Sequence, residues 1–259
     1  MPNYQIVSSG RHAGKRWLRH SDYRFASQYA VVPLALAELP KAAMTLPIAL
    51  IEQDGTFVPA AVLGLEPERS LFVAADGQWQ GGYIPAGLRA YPFRLAATDQ
   101  GQQVLCVDED SGLVTEDLQG EAFFDEHNEP TPAIREILSF LEQTASSGQA
   151  AKQACDSLKQ CGVVSPWPIT VTTSEGDRNL GGLFQIDEAA LTSLEPAALH
   201  ELMRAGALPA AYCQLLSTQH LSRLGELARL KAAEIAASTS TNNSGYANDS
   251  GTFTFGNLT

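Results

Sequence analysis

Leu46-Pro-Ile-Ala-Leu-Ile51-Glu-Gln-Asp54-Gly55-Thr-Phe57-Val-Pro-Ala-Ala-Val-Leu-Gly-Leu65 decides the fold class. Two apolar runs, 46–51 and 57–65, flank a short polar segment that ends in Asp54-Gly55. That dipeptide tolerates the positive φ angles of the tightest hairpin turns, so the two runs are predicted to pair antiparallel. The pattern continues downstream. Residues 71–74 and 78–84 are predicted to pair around Asp76-Gly77, and 91–96 with 103–107 across Thr98-Asp-Gln-Gly101. Short strands about every ten residues, with no helix between them, imply an antiparallel sheet.

Beyond Pro130-Thr-Pro132 the period changes. Residues 133–144 place Ile134, Ile137, Leu138 and Leu141 on one helical face. Ser146-Ser-Gly148 is predicted to break this helix before a second one that runs to Cys161-Gly162. Residues 167–173 and 179–186 suggest another hairpin, closed by Ser174-Glu-Gly-Asp, and Asp187 suits an N-cap. Helical pattern then dominates 196–237, with pauses expected at Gly206 and Pro209. The fold class is α+β, mainly antiparallel sheet in the first half with helices gathered in the second half. Three parts are expected: a basic arm over 1–24, a single α+β domain over 25–237, and a disordered tail over 238–259. The tail is rich in Ser, Thr, Asn and Gly and lacks Lys and Arg.

The formal charge of -12 is unevenly spread. Residues 99–142 hold twelve acids against Arg135 alone, whereas Arg11, Lys15, Arg16, Arg19 and Arg24 face only Asp22 in the first 24 residues. This polarity argues against nucleic acid as a partner, which needs a basic face. It predicts instead that the arm lies against the acidic segment. No apolar run approaches the ~20 residues of a membrane span. No charged lead followed by an apolar run marks a secretory signal, so a cytoplasmic location is expected, with free thiols at Cys106, Cys155, Cys161 and Cys213.

Catalytic motifs are missing from the sequence. His200-Glu201-Leu-Met-Arg204 begins like a zinc-binding helix but puts Arg where the second ligand belongs. Asp108-Glu-Asp110-Ser-Gly112 opens like a calcium loop, yet Gly112 and Leu113 fall where oxygen ligands are needed. Glycine-rich phosphate loops and nucleophile elbows are lacking too. No metal and no cofactor are expected.

The most distinctive stretch is Asp76-Gly-Gln-Trp79-Gln-Gly-Gly-Tyr83-Ile-Pro85-Ala-Gly-Leu-Arg89-Ala-Tyr91-Pro92-Phe93. Rings interleaved with Gly and Pro suit a rigid, irregular surface on which a ligand docks at low cost in side-chain entropy. The succession Gly77, Trp79, Tyr83, Pro85, Arg89, Tyr91, Pro92, Phe93 resembles a motif of the SapC family. Val32-Pro33-Leu34 with Glu38, Leu46-Pro47-Ile48, Leu63-Gly64-Leu65, Cys106-Val-Asp108-Glu109 and Gly182-Leu-Phe-Gln-Ile-Asp187 extend the resemblance over roughly residues 3–230.

The family is bacterial and takes its name from a surface-layer-associated gene. Its members often appear encoded beside flavin-dependent halogenase-like proteins, cupin-like proteins and TonB-dependent receptors. The resemblance implies an accessory role in uptake or modification of a small molecule or peptide, and it brings no catalytic residues with it.

The expected site is therefore a ligand-binding one, built from Trp79, Tyr83, Arg89, Tyr91 and Phe93, with Asp108 and Glu109 beside them. The rings would stack on an unknown small molecule, peptide or protein while Arg89 pairs with a carboxylate. Two alternatives stand: an enzyme using Asp108 and Glu109 as acid–base groups, and a structural protein of the surface layer reaching the cell surface without a signal peptide.

Overall fold

The computed structural model describes residues 2–98, 100–173 and 176–244. In chain order the first half comprises β1 (Tyr4–Ile6), α1 (Ser9–His12), β2 (Arg16–Trp17), β3 (Val31–Pro33), α2 (Leu39–Ala42), β4 (Ile48–Gln53), β5 (Thr56–Val62), α3 (Ala86–Arg89), β6 (Phe93–Ala97), β7 (Gln103–Asp108), β8 (Val114–Thr115) and β9 (Glu121–Ala122). The second half comprises α4 (Pro132–Gln160), β10 (Val164–Pro166), β11 (Ile169–Thr173), β12 (Gly176–Leu180), β13 (Leu183–Ile186), α5 (Glu188–Thr192), α6 (Pro196–Arg204), α7 (Ala207–Ser217) and α8 (Leu221–Ser244). The fold is α+β: every strand pairing is antiparallel, and the long helices lie late in the chain.

The opening hairpin organises the molecule. Asp54 (φ 51°) and Gly55 (φ 79°) both take the left-handed region, so β4 and β5 pair in register from Ile48 opposite Ala61 to Gln53 opposite Thr56. These strands sit inside a five-stranded sheet of order β10-β13-β4-β5-β3. The second-half strands thus complete the first-half sheet. The hairpin expected over 167–186 divides: β11 pairs with β12, and after Gly181-Gly182 the chain returns as β13 to the main sheet. Its expected closing turn falls on Ser174 and Glu175, outside the described residues.

Around Asp76-Gly77 the expected hairpin shrinks to one bridge, Val73 opposite Trp79. The reason lies in Gly81, where a Cβ would come within 2.7 Å of the Trp79 indole nitrogen. The backbone folds tightly over that ring instead of extending as a strand.

The basic segment enters the fold through two short strands. β1 joins β7 and β6 in a three-stranded sheet, and β2 sits between β8 and β9 in another. Arg11 and Lys15 reach Glu109, Arg19 reaches Glu121, and Arg16 donates to the carbonyl of Gly120, all within the acidic segment. Arg24 pairs instead with Asp22 and the carbonyl of Asp76.

Helix α4 runs unbroken for 29 residues, about 43 Å, through the expected break at Ser146-Ser-Gly148. Thr131 caps it by accepting from the Ile134 N–H. Burial at both ends overrides the weak centre. Ile134 and Leu141 pack with Trp17, Phe93 and Phe123, whereas Ala154, Cys155 and Leu158 pack with Leu50, Phe57 and Ile186 under the main sheet. Ser147 adds a tether by accepting from the Ala37 N–H at 2.9 Å.

Gly206 interrupts the later helices as expected, at φ 69°. Pro209 does not, because it lies in the first turn of α7, where its missing N–H has no intrahelical partner to lose. Helix α8 continues to Ser244, into the first residues of the predicted tail; 245–259 lie outside the described residues. Among the described residues no helix is long and apolar enough to cross a membrane.

Candidate functional site

The 76–93 stretch is anchored from beneath by a carboxylate. Glu38, 6% exposed, accepts from the backbone N–H of Ala86 (3.0 Å) and the hydroxyl of Tyr83 (3.3 Å) on Oε1, and from the N–H of Ala35 (3.2 Å) on Oε2. The Tyr83 hydroxyl in turn accepts from the Arg89 guanidinium at 3.3 Å. A buried acid thereby fixes the start of α3, and the phenol passes that constraint to the arginine.

Trp79 braces the same stretch internally. Its indole N–H donates to the Tyr83 carbonyl at 2.9 Å, and its ring lies against Phe72 with centroids 5.6 Å apart. Tyr91 stacks on Phe25 at 3.8 Å, nearly parallel, and its carbonyl accepts from His20 Nδ1 at 3.0 Å. Burial, with the Asp108 carboxylate beside it, pushes the Tyr91 hydroxyl up to about 12, so it stays protonated at neutral pH.

Phe93 and Trp17 are both 3% exposed and meet edge to face at 5.0 Å. They lie at the base of a cavity of about 350 Å³ between residues 17–20, residues 89–93 and the first turns of α4. Ile137 and Phe140 form its helical wall; Arg19, His20, Arg89 and Glu136 bring the polar groups. The Arg89 guanidinium, on an exposed residue, sits 5.1 Å over the Phe140 ring and 5.7 Å over that of Tyr83. Among the described residues no carboxylate pairs with it.

Of the seven expected site residues, Arg89, Tyr91 and Phe93 line this cavity. Tyr83 stands behind Arg89, and Trp79 lies one layer back, against Phe72. Asp108 is 4% exposed near Tyr91 and accepts from the N–H groups of Asn3 and Asp110. Glu109 belongs to a different cluster, where it meets Arg11 at 2.6 Å and Lys15 at 2.8 Å.

Trp17, His20, Ile137, Phe140 and Glu38 were not among the expected site residues. A lone Trp in an otherwise basic, polar segment was the available signal for the first. Glu136 and Phe140 are four apart on one helix and therefore share a face.

The Glu109 cluster has a pH signature. Hydrogen bonds from Arg11 first, and then Lys15, hold the Glu109 carboxyl down at about 2. This is opposite to the raised carboxyl that an acid–base role requires. His12 is fully buried beside it, with Nε2 3.3 Å from Glu109 Oε1, and burial lowers its pKa below the ordinary 6.5.

As pH falls, the unfolded chain protonates its free histidine first, and stability drops from below about 6.5. Glu109 contributes stability above its ordinary 4.5, which is lost as pH falls through about 2. Urea unfolding against pH is expected to show both limbs, and Glu109→Gln to flatten the one below 4.5. An unchanged acid limb in that variant would refute the assignment.

Among the described residues no group of three His, Cys, Asp or Glu side chains is placed to hold a metal ion. No curated protein and no solved structure matches the chain. A family model described as SapC matches residues 7–224, which takes in the whole anchored stretch and the cavity; the chain belongs to the SapC family.

Proposed function

We propose that this SapC-family chain is a non-catalytic binding or accessory protein, whose site is the cavity headed by Arg89. One observation carries the reading. An exposed guanidinium, held over two rings by a Tyr83–Glu38 chain, stands without a carboxylate partner among the described residues at the mouth of a ring-lined cavity. A structural arginine is normally neutralised by a carboxylate or buried in carbonyls. One held at a rim and left unpaired is suited to an incoming anion. The ligand is a small molecule or peptide, in keeping with a part in uptake or modification beside halogenase-like and TonB-dependent receptor proteins. The four unpaired cysteines support work in a reducing cytoplasm.

The test is capture from the native host followed by mass spectrometry of what the folded protein carries. Because Arg89 is exposed, Arg89→Ala is expected to change stability by no more than about 0.5 kcal/mol. A small molecule or peptide is expected with the wild type and absent with Arg89→Ala. Nothing bound in either, or equal loading of both, would overturn the reading.

A further inference from the structure

We infer that the Arg89 cavity takes an aromatic carboxylate, a planar ring system bearing a single negative head group. The inference rests on the cavity being a binding site and names what it selects. Charge comes first. The cavity holds two guanidiniums and one acid, but Arg19 is bound to Glu121 at 2.8 Å and also feels Glu136. The guanidinium left without an ion-pair partner among the described residues is therefore that of Arg89, in a chain whose net charge is -12.

One planar fork matches one carboxylate. A phosphate, with its higher charge and three acceptor oxygens, calls for a cluster of donors. His20 does not supply a second fixed donor. Its Nδ1 is already taken by the Tyr91 carbonyl at 3.0 Å, so that nitrogen is not free to donate to a ligand.

Shape and surface set the rest of the ligand. Ile137 and Phe140 bring half-buried apolar surface to the wall, and Trp17 and Phe93, each 3% exposed, close the floor beneath it, a lining that favours a flat apolar body. The volume of about 350 Å³ is near the lower end of ligand cavities, about 300–1,000 Å³, and suits one or two fused rings. The Trp17 indole N–H is itself buried away from the cavity's accessible surface and has no hydrogen-bond partner among the described residues.

The same chemistry occurs in a free aryl carboxylate and in the C-terminal aromatic residue of a peptide. The experiment therefore titrates the full chain calorimetrically, at low ionic strength, with four probes: 2-naphthoate, neutral 2-naphthamide, the peptide Gly-Gly-Phe, and Gly-Gly-Phe amide. Saturable binding of at least one acid is expected, at least about tenfold tighter than its amide, with a similar loss in Arg89→Ala and a partial one in Arg89→Lys.

Binding of naphthoate alone identifies a free small molecule. Binding of the peptide acid, displaced by naphthoate, identifies a chain terminus. Absence of saturable binding by both acids, or equal binding of acid and amide, overturns the inference. The outcome is separable from failure of the binding reading itself: a ligand captured from the host that depends on Arg89 but is no aromatic acid leaves that reading standing and removes only this one.

Discussion

Replacing Glu38 with alanine is expected to cost about 2–4 kcal/mol in stability and to loosen the site. The carboxylate satisfies three donors at once, the N–H groups of Ala35 and Ala86 and the Tyr83 hydroxyl, at a position only 6% exposed. Each buried donor left unmade costs about 1–3 kcal/mol, and partial relaxation keeps the sum below three full penalties. Glu38→Gln keeps one oxygen but presents an NH₂ to the remaining donors, so about half the loss is expected.

The site should suffer as well. Without Glu38 the Tyr83 hydroxyl loses its acceptor, and the Arg89 guanidinium loses the phenol that fixes it. Urea unfolding reads the first effect, and ligand affinity relative to Arg89→Ala reads the second. A stability loss under about 1 kcal/mol would mean that water reaches these donors and that Glu38 is no anchor.

Glu38 also shows why the site was only half legible in the sequence. It precedes Tyr83 by 45 residues and is brought beneath it by the path of the chain through α2 and the β4–β5 hairpin. No local period or spacing records that meeting. The hairpin itself was legible because its instructions are local: two apolar runs flank Asp54-Gly55, and the tight turn there sets their register. The same holds for the Asp187 cap, which accepts from the Ala190 N–H three residues on.

Local signals misled where tertiary burial outweighed them. Ser146-Ser-Gly148 has the composition of a helix break, yet α4 passes through it because two separate apolar clusters grip its ends. Gln78 and the residues after it read as a strand, but the close approach at Gly81 turns the backbone over the Trp79 ring. Ring content made residues 76–93 conspicuous without indicating which rings face a cavity and which serve as internal braces. Trp79 and Phe93 differ in that respect only because Phe72 underlies the former while Trp17, from β2, reaches the latter.

Trp17 is the residue on which the cavity and the stability of this half of the molecule depend together. It is 3% exposed, meets Phe93 at 5.0 Å and shares a cluster with Phe123, Ile134 and Leu141. Its strand β2 is only two residues long, so its ring, more than its backbone pairing, holds residues 16–20 against the body. Trp17→Ala is expected to cost about 3–5 kcal/mol, the usual loss for deleting a fully buried aromatic side chain. Trp17→Phe refills part of the space and removes the orphan indole N–H, so a loss under about 2 kcal/mol is expected there.

Trp79, half-buried and further from the cavity, provides the contrast: Trp79→Ala should destabilise less and leave ligand affinity closer to wild type. Chemical denaturation of all three variants, with calorimetry on those that fold, decides the matter. If Trp79→Ala abolished ligand affinity while Trp17→Phe retained it in full, the binding surface would lie on the Phe72 side of the stretch rather than in the cavity that Trp17 floors.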